Sequence, residues 1–129
     1  MSSVQVITEE KDYVGAVWRY LPMIARNFRF SEQEMRSLMG DMPRATYTKG
    51  LKTESVRLNK DQFSRVSLLL GIEKALKILF SGNETKAFSW IDRPNSLPPF
   101  FGTTPRAFIT QGDFQQLYET RKMLDAWRG

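Results

Sequence analysis

The sequence predicts an all-α protein whose N-terminal and C-terminal helical halves pack together. Three observations predict it. Apolar residues recur every three or four positions over residues 13–28, 63–80 and 114–127, the period of a helix that buries one face. Residues able to cap a helix start, Asp12, Ser31, Asn59, Asn83, Thr104 and Asp113, stand just ahead of helical segments. Glycine and proline punctuate the joins, and four of the six prolines fall between Trp90 and Ile109. That stretch is too rich in proline for one helix and too apolar for a solvated loop, so it predicts a rigid, packed corner.

Taken in order, residues 1–10 show no helical period and are expected to form a loose arm or a short extended piece. A helix is expected from Tyr13, with Asp12 as its N-cap and Val14, Val17, Trp18, Leu21, Ala25 and Phe28 facing the core. Pro22 makes it either one kinked helix or two short ones. Ser31-Glu32-Gln33-Glu34 is a capping box that opens a helix carrying Met35, Leu38 and Met39, which stops at Gly40-Asp41. A second short helix follows, with Pro43 at its first position, and Thr48 and Gly50 are expected to shorten it.

Lys52 to Leu58 is polar and without period, and divides the chain into domains at 1–57 and 58–129. Asn59 and Gln62 then cap the most strongly patterned helix. It carries Phe63, Val66, Leu69, Leu70, Ile72, Leu76, Leu79 and Phe80 on a broad apolar stripe, with Arg65, Glu73, Lys74 and Lys77 elsewhere around it. After Ser81-Gly82, Asn83 opens a shorter helix that must stop before Pro94. Trp90, Phe100, Phe101 and Phe108 are expected to be core packing in the corner. Thr104-Pro105 starts another short helix, and the last helix sets Phe114, Leu117, Tyr118, Leu124 and Trp127 on one face. Trp127 either docks into the protein's own core or is offered to a partner.

Composition narrows the function. The chain has 129 residues, no cysteine and no histidine, which removes disulfides, thiolate metal sites, the commonest general base and the commonest metal ligand. No metal and no cofactor is expected. It also offers no phosphate-cradling glycine loop and no Ser-centred elbow, so an enzyme is not expected. No run approaches the length of a membrane span and the N-terminus lacks a signal peptide, so the expected place is the cytoplasm, without membrane contact.

Of the net charge of +5, +4 lies between Arg36 and Lys60. A concentrated basic segment fits a phosphate backbone, and a solvated basic face is the alternative. The same segment contains two short helices and a tight glycine turn, a helix-turn-helix pattern. Arg44, Thr46, Tyr47, Lys49 and Lys52 are therefore the candidate DNA-binding residues. Arginine and lysine can donate to guanine, threonine can touch a base or a thymine methyl, and tyrosine can reach phosphate. A purely structural helical hairpin is the competing reading.

Leu58 to Gly129 resembles the toxin-binding domain of the Xre/MbcA/ParS family of antitoxins. The resemblance rests on Trp90-Ile91, Pro94-Asn95, Gly102 with Pro105, Phe108-Ile109 and the helix from Phe114 to Trp127. Leu38-Met39-Gly40 followed by Met42-Pro43-Arg44-Ala45-Thr46-Tyr47 resembles the family's Xre-like helix-turn-helix, departing from it at Thr48 and Gly50, where aromatic or basic residues are common. The resemblance implies a type II antitoxin, not an enzyme, that covers the active site of a RES-domain toxin degrading NAD or transferring ADP-ribose. It further implies a homodimer within a larger toxin–antitoxin complex, formed through the N-terminal domain, which also binds the promoter DNA of its own operon. Toxin-facing residues would be Arg93, Asn95, Arg106, Trp127, Arg128 and Gly129. The competing function is a stand-alone helix-turn-helix transcriptional regulator whose C-terminal half only dimerises.

Overall fold

A computed structural model describes the backbone from Ser3 to Gly129 and the side chains from Tyr13 onward. Among the described residues there are seven α-helices, one 3₁₀ turn and no strand. The helices are α1 (Ser3–Phe28), α2 (Glu32–Leu38), α3 (Arg44–Thr53), α4 (Lys60–Leu79), α5 (Glu84–Ser89), α6 (Pro105–Ile109) and α7 (Phe114–Arg128), and the 3₁₀ turn, Trp90–Asp92, follows α5 directly.

Helix α1 is longer than its apolar pattern. The expected arm at residues 1–10 is helical from Ser3, so Asp12 lies inside the helix and does not cap it; Met1 and Ser2 fall outside the described residues. No glycine or proline stands between Ser3 and Tyr13 to end a helix, so the helix begins ahead of the apolar period read from Tyr13. Pro22 sits on the exposed side, and a single helix continues beyond it.

Four of the local start signals act as the sequence implies, while Asp113 stands at the N-cap of α7 without a side-chain capping hydrogen bond. Ser31 and Glu34 exchange hydrogen bonds as a capping box, and so do Asn59 and Gln62. The Asn83 and Thr104 side chains accept from the first turns of α5 and α6. Pro43 is the N-cap of α3 rather than its first residue.

Trp18, Leu21, Ile24 and Phe28 of α1 meet Met35 and Leu38 of α2, Tyr47 of α3, and Val66, Leu69, Ile72 and Leu76 of α4 in one continuous core. Leu117 and Leu124 of α7 extend that core along α4. The two halves are also tied by polar groups. Ser37 Oγ donates to the Thr110 carbonyl at 2.6 Å. Arg65, expected outside the apolar stripe, is buried: it pairs with Asp61 at 2.8 Å and donates to the Leu38 carbonyl at 3.3 Å. Leu38 ends α2, so its carbonyl lacks a helical partner and Arg65 supplies one across the halves.

Candidate functional site

The helix-turn-helix consists of α2, a turn through Gly40 and Asp41, and α3. Gly40 at φ +80° and Asp41 at φ +58° reverse the chain, and Met42 N closes the turn on the Arg36 carbonyl at 3.0 Å. Gly50 does not shorten α3, which runs on to Thr53. It stands where a Cβ would overlap the Trp18 ring, so glycine lets α3 lie directly on α1. Trp18 is fixed there by its Nε1–H, which donates to the Val56 carbonyl at 2.8 Å, and Tyr47 packs against it at 6.1 Å between ring centroids.

This packing decides which face of α3 meets solvent. Tyr47 is only 4% exposed, and the reading of it as a phosphate contact is corrected: its ring fills the core because Gly50, three residues on, leaves no other bulk against Trp18. Burial first, then the Glu32 carboxylate, raises its phenol pKa. Thr46 is half-buried beside it. Arg44 is exposed but paired with Glu32 at 3.1 Å. Lys49 and Lys52 are exposed, and Ala45 and Thr48 share their face. The outward surface of α3 is therefore two small side chains beside two lysines, which admits close approach with positive charge at the edge. Ala45 and Thr48 were missed by the sequence reading, and the signal was the helical phase of Tyr47.

In the corner, aromatic rings stack edge to face in a row. Phe108 meets Phe100 at 5.3 Å, Phe100 meets Trp90 at 5.8 Å, and Trp90 meets Trp127 at 6.2 Å. Trp127 thus docks on the protein along one edge while remaining 43% exposed. Arg128 and Gly129, which follow it directly, and Arg93, three residues after Trp90, are exposed. Asn95 is half-buried and spent on the loop: its Oδ1 accepts from Leu97 N at 2.9 Å, and its own N donates to the Thr103 carbonyl at 3.1 Å.

Arg106, expected to face the toxin, is not a free surface charge but is held by contacts within the chain. Its guanidinium pairs with Asp92 at 2.6 Å and Glu34 at 3.2 Å. It also donates to the carbonyls of Phe28 and Arg29 and lies 5.0 Å over the Phe30 ring. Burial alone would lower its pKa, but the hydrogen bond and charge of Asp92, joined by Glu34, raise it on balance. The end of α1 leaves those carbonyls without helical partners, and only a long, multiply donating cation spans them and both carboxylates.

Residues 15–71 match the antitoxin Xre-like helix-turn-helix domain family. The chain is also similar to the uncharacterized protein y4oB of Sinorhizobium fredii (strain NBRC 101917 / NGR234), at 38% identity over 106 residues, 82% of this chain and 79% of that protein. The chain belongs to one family with y4oB and carries an antitoxin Xre-like helix-turn-helix domain. The Xre-like domain begins inside α1 and ends inside α4, so it contains the Trp18–Gly50 contact, the whole helix-turn-helix and the Arg65 tie. It also runs across the expected division between residues 57 and 58. No helix among the described residues is long and apolar enough to cross a membrane.

Proposed function

We propose that this chain is the antitoxin of a type II pair, whose region 58–129 binds a RES-domain toxin that degrades NAD or transfers ADP-ribose and neutralises it by covering the active site. The reading is carried by the last turn of α7. Trp127 is held by Trp90 at 6.2 Å yet keeps 43% of its surface open, so this turn of α7 is aimed and still available. Arg93, Arg128 and Gly129 complete the toxin face, while Asn95 and Arg106 give it shape. The chain acts by binding, not by catalysis, in the cytoplasm.

Region 1–57 dimerises and represses the operon through α3. Lys49 and Lys52 contact phosphates, and Ala45 and Thr48 lie against the bases. The bare basic face of α3 would equally serve a stand-alone regulator, so two experiments separate the readings. Co-expression with the neighbouring toxin gene should restore growth, and Trp127→Ala with Arg128→Ala should abolish rescue without moving the melting temperature by more than a few degrees. Rescue by that double variant would remove the chain end from the toxin contact. In parallel, Lys49→Ala with Lys52→Ala should weaken promoter binding and reduce its salt slope by about 2, one per phosphate contact, while leaving rescue unchanged. Promoter binding without any toxin binding would favour the stand-alone regulator.

A further inference from the structure

A helix-turn-helix lays its second helix in the major groove while its first helix crosses the phosphate backbone. In this motif the two helices begin with opposite charges. Glu32 is the first residue of α2 and Arg44 the first of α3, and their side chains pair at 3.1 Å. Glu32 also faces Arg36, one turn along α2, at 3.7 Å.

The pair stands at the edge of the outward face of α3. Glu32, Thr48 and Lys52 line one cleft between α1, α2 and α3, and Thr48 and Lys52 belong to the exposed side that also carries Ala45 and Lys49. Other carboxylates of this half are committed elsewhere. Glu34 holds Ser31 N and Arg106, Glu54 holds Arg19, and Asp41 lies against Gly112. Glu32 is therefore the carboxylate that cancels a cation on this face, while Lys49 and Lys52 have no ion-pair partner among the described residues.

At the positive end of the α3 dipole, a cation such as Arg44 is stabilised by an anion beside it, and a carboxylate or a phosphate can fill that place. The Arg44 side chain is 75% exposed and that of Glu32 47%, so water screens the pair and a phosphate can take over Arg44 without disturbing the core. We infer that Arg44 is a third phosphate contact of the helix-turn-helix, masked by Glu32, and that DNA must displace this carboxylate to reach it. The inference rests on the DNA-binding reading of α3 above and adds the residue that restrains it. Because phosphate contacts act on any sequence, the mask lowers binding to every duplex alike.

The test measures binding of the full chain to its promoter duplex and to a random-sequence duplex across a salt series, with melting temperatures recorded for every variant. Glu32→Gln keeps the side chain's size and leaves the capping box of Ser31 and Glu34 intact. It should tighten binding to both duplexes by about 5- to 10-fold at low salt and steepen the salt slope by about 1, the value of one added phosphate contact. Most of that gain should vanish when Glu32→Gln is combined with Arg44→Ala, and melting temperatures should stay within a few degrees of the parent. Parent binding left unchanged by Glu32→Gln overturns the mask and leaves the DNA-binding reading standing. An equal gain with and without Arg44 makes Glu32 a general repulsive charge, and a gain on the promoter alone makes it a base contact; either result also overturns the mask. If neither the parent chain nor Glu32→Gln binds either duplex at low salt, the DNA-binding reading is removed, and the mask with it.

Discussion

Gly50 in α3 and Gly71 in α4 both lie inside unbroken helices, and at both a single added Cβ would overlap a neighbouring side chain. The neighbours differ. Over Gly50 lies the Trp18 ring, 1% exposed and tied to the Val56 carbonyl, so it cannot leave. Over Gly71 lies the far end of Arg121, whose side chain is 35% exposed and bonded to Asp125 at 3.2 Å and the Ser67 carbonyl at 3.2 Å. A solvated arginine can swing into water; a buried indole has nowhere to go. One sequence signal, a glycine within a helix, is therefore a structural requirement in one half and a local convenience in the other.

The comparison breaks most visibly at its strongest point. Gly50→Ala should cost about 3 kcal/mol by overpacking, read from urea unfolding, and parental stability would mean that Trp18 is less constrained than its contacts imply. Arg106→Met comes next, at about 2 kcal/mol, because it strands Glu34, Asp92 and two helix-end carbonyls together. Arg121→Met, by contrast, should change stability by less than about 0.5 kcal/mol, since its exposed pair is screened by water. Gly71→Ala should fall within about 1 kcal/mol of the parent, with any gain coming from helix propensity. Equal losses at Gly50 and Gly71 would show that the overlap, not the neighbour's freedom, sets the cost.

The smallest effect concerns the tyrosines that this packing buries. Burial, reinforced by Glu73, raises the Tyr20 phenol pKa, and burial with Glu32 raises that of Tyr47. Both lie above the ordinary value of 10.0 in the folded chain, so below that pH neither state ionises and stability is unaffected. As pH rises past it, the unfolded chain loses protons first and stability falls. Urea midpoints at neutral pH and above about pH 10 should diverge less in Tyr20→Phe and Tyr47→Phe than in the parent.

Much of the fold was legible because its signals are local. The capping boxes at Ser31 and Asn59, the Asn83 and Thr104 caps and the Pro105 start all depend on residues within one turn of each other. The candidate site was legible in part. Lys49 and Lys52 are exposed as expected of a basic face, but Tyr47 went inward, and Ala45 and Thr48 came out in its place. Arg106 and Arg65 looked like surface charges because a sequence does not display the orphan carbonyls of Phe28, Arg29 and Leu38 that claim them. Phe101 looked like core because its neighbours are apolar, whereas the sign of its φ turned it outward.

By itself the sequence determined where helices begin, which face of each is apolar, where the positive charge concentrates and which chemistries are missing. Those properties follow from hydrogen bonding and periodicity within a few residues. Tertiary structure alone decided that Gly50 must be glycine, that Arg106 is a clasp and that Phe100 and Phe101 part ways. Each depends on what lies across the chain and on how freely that neighbour can move, and neither is written in the local order of residues.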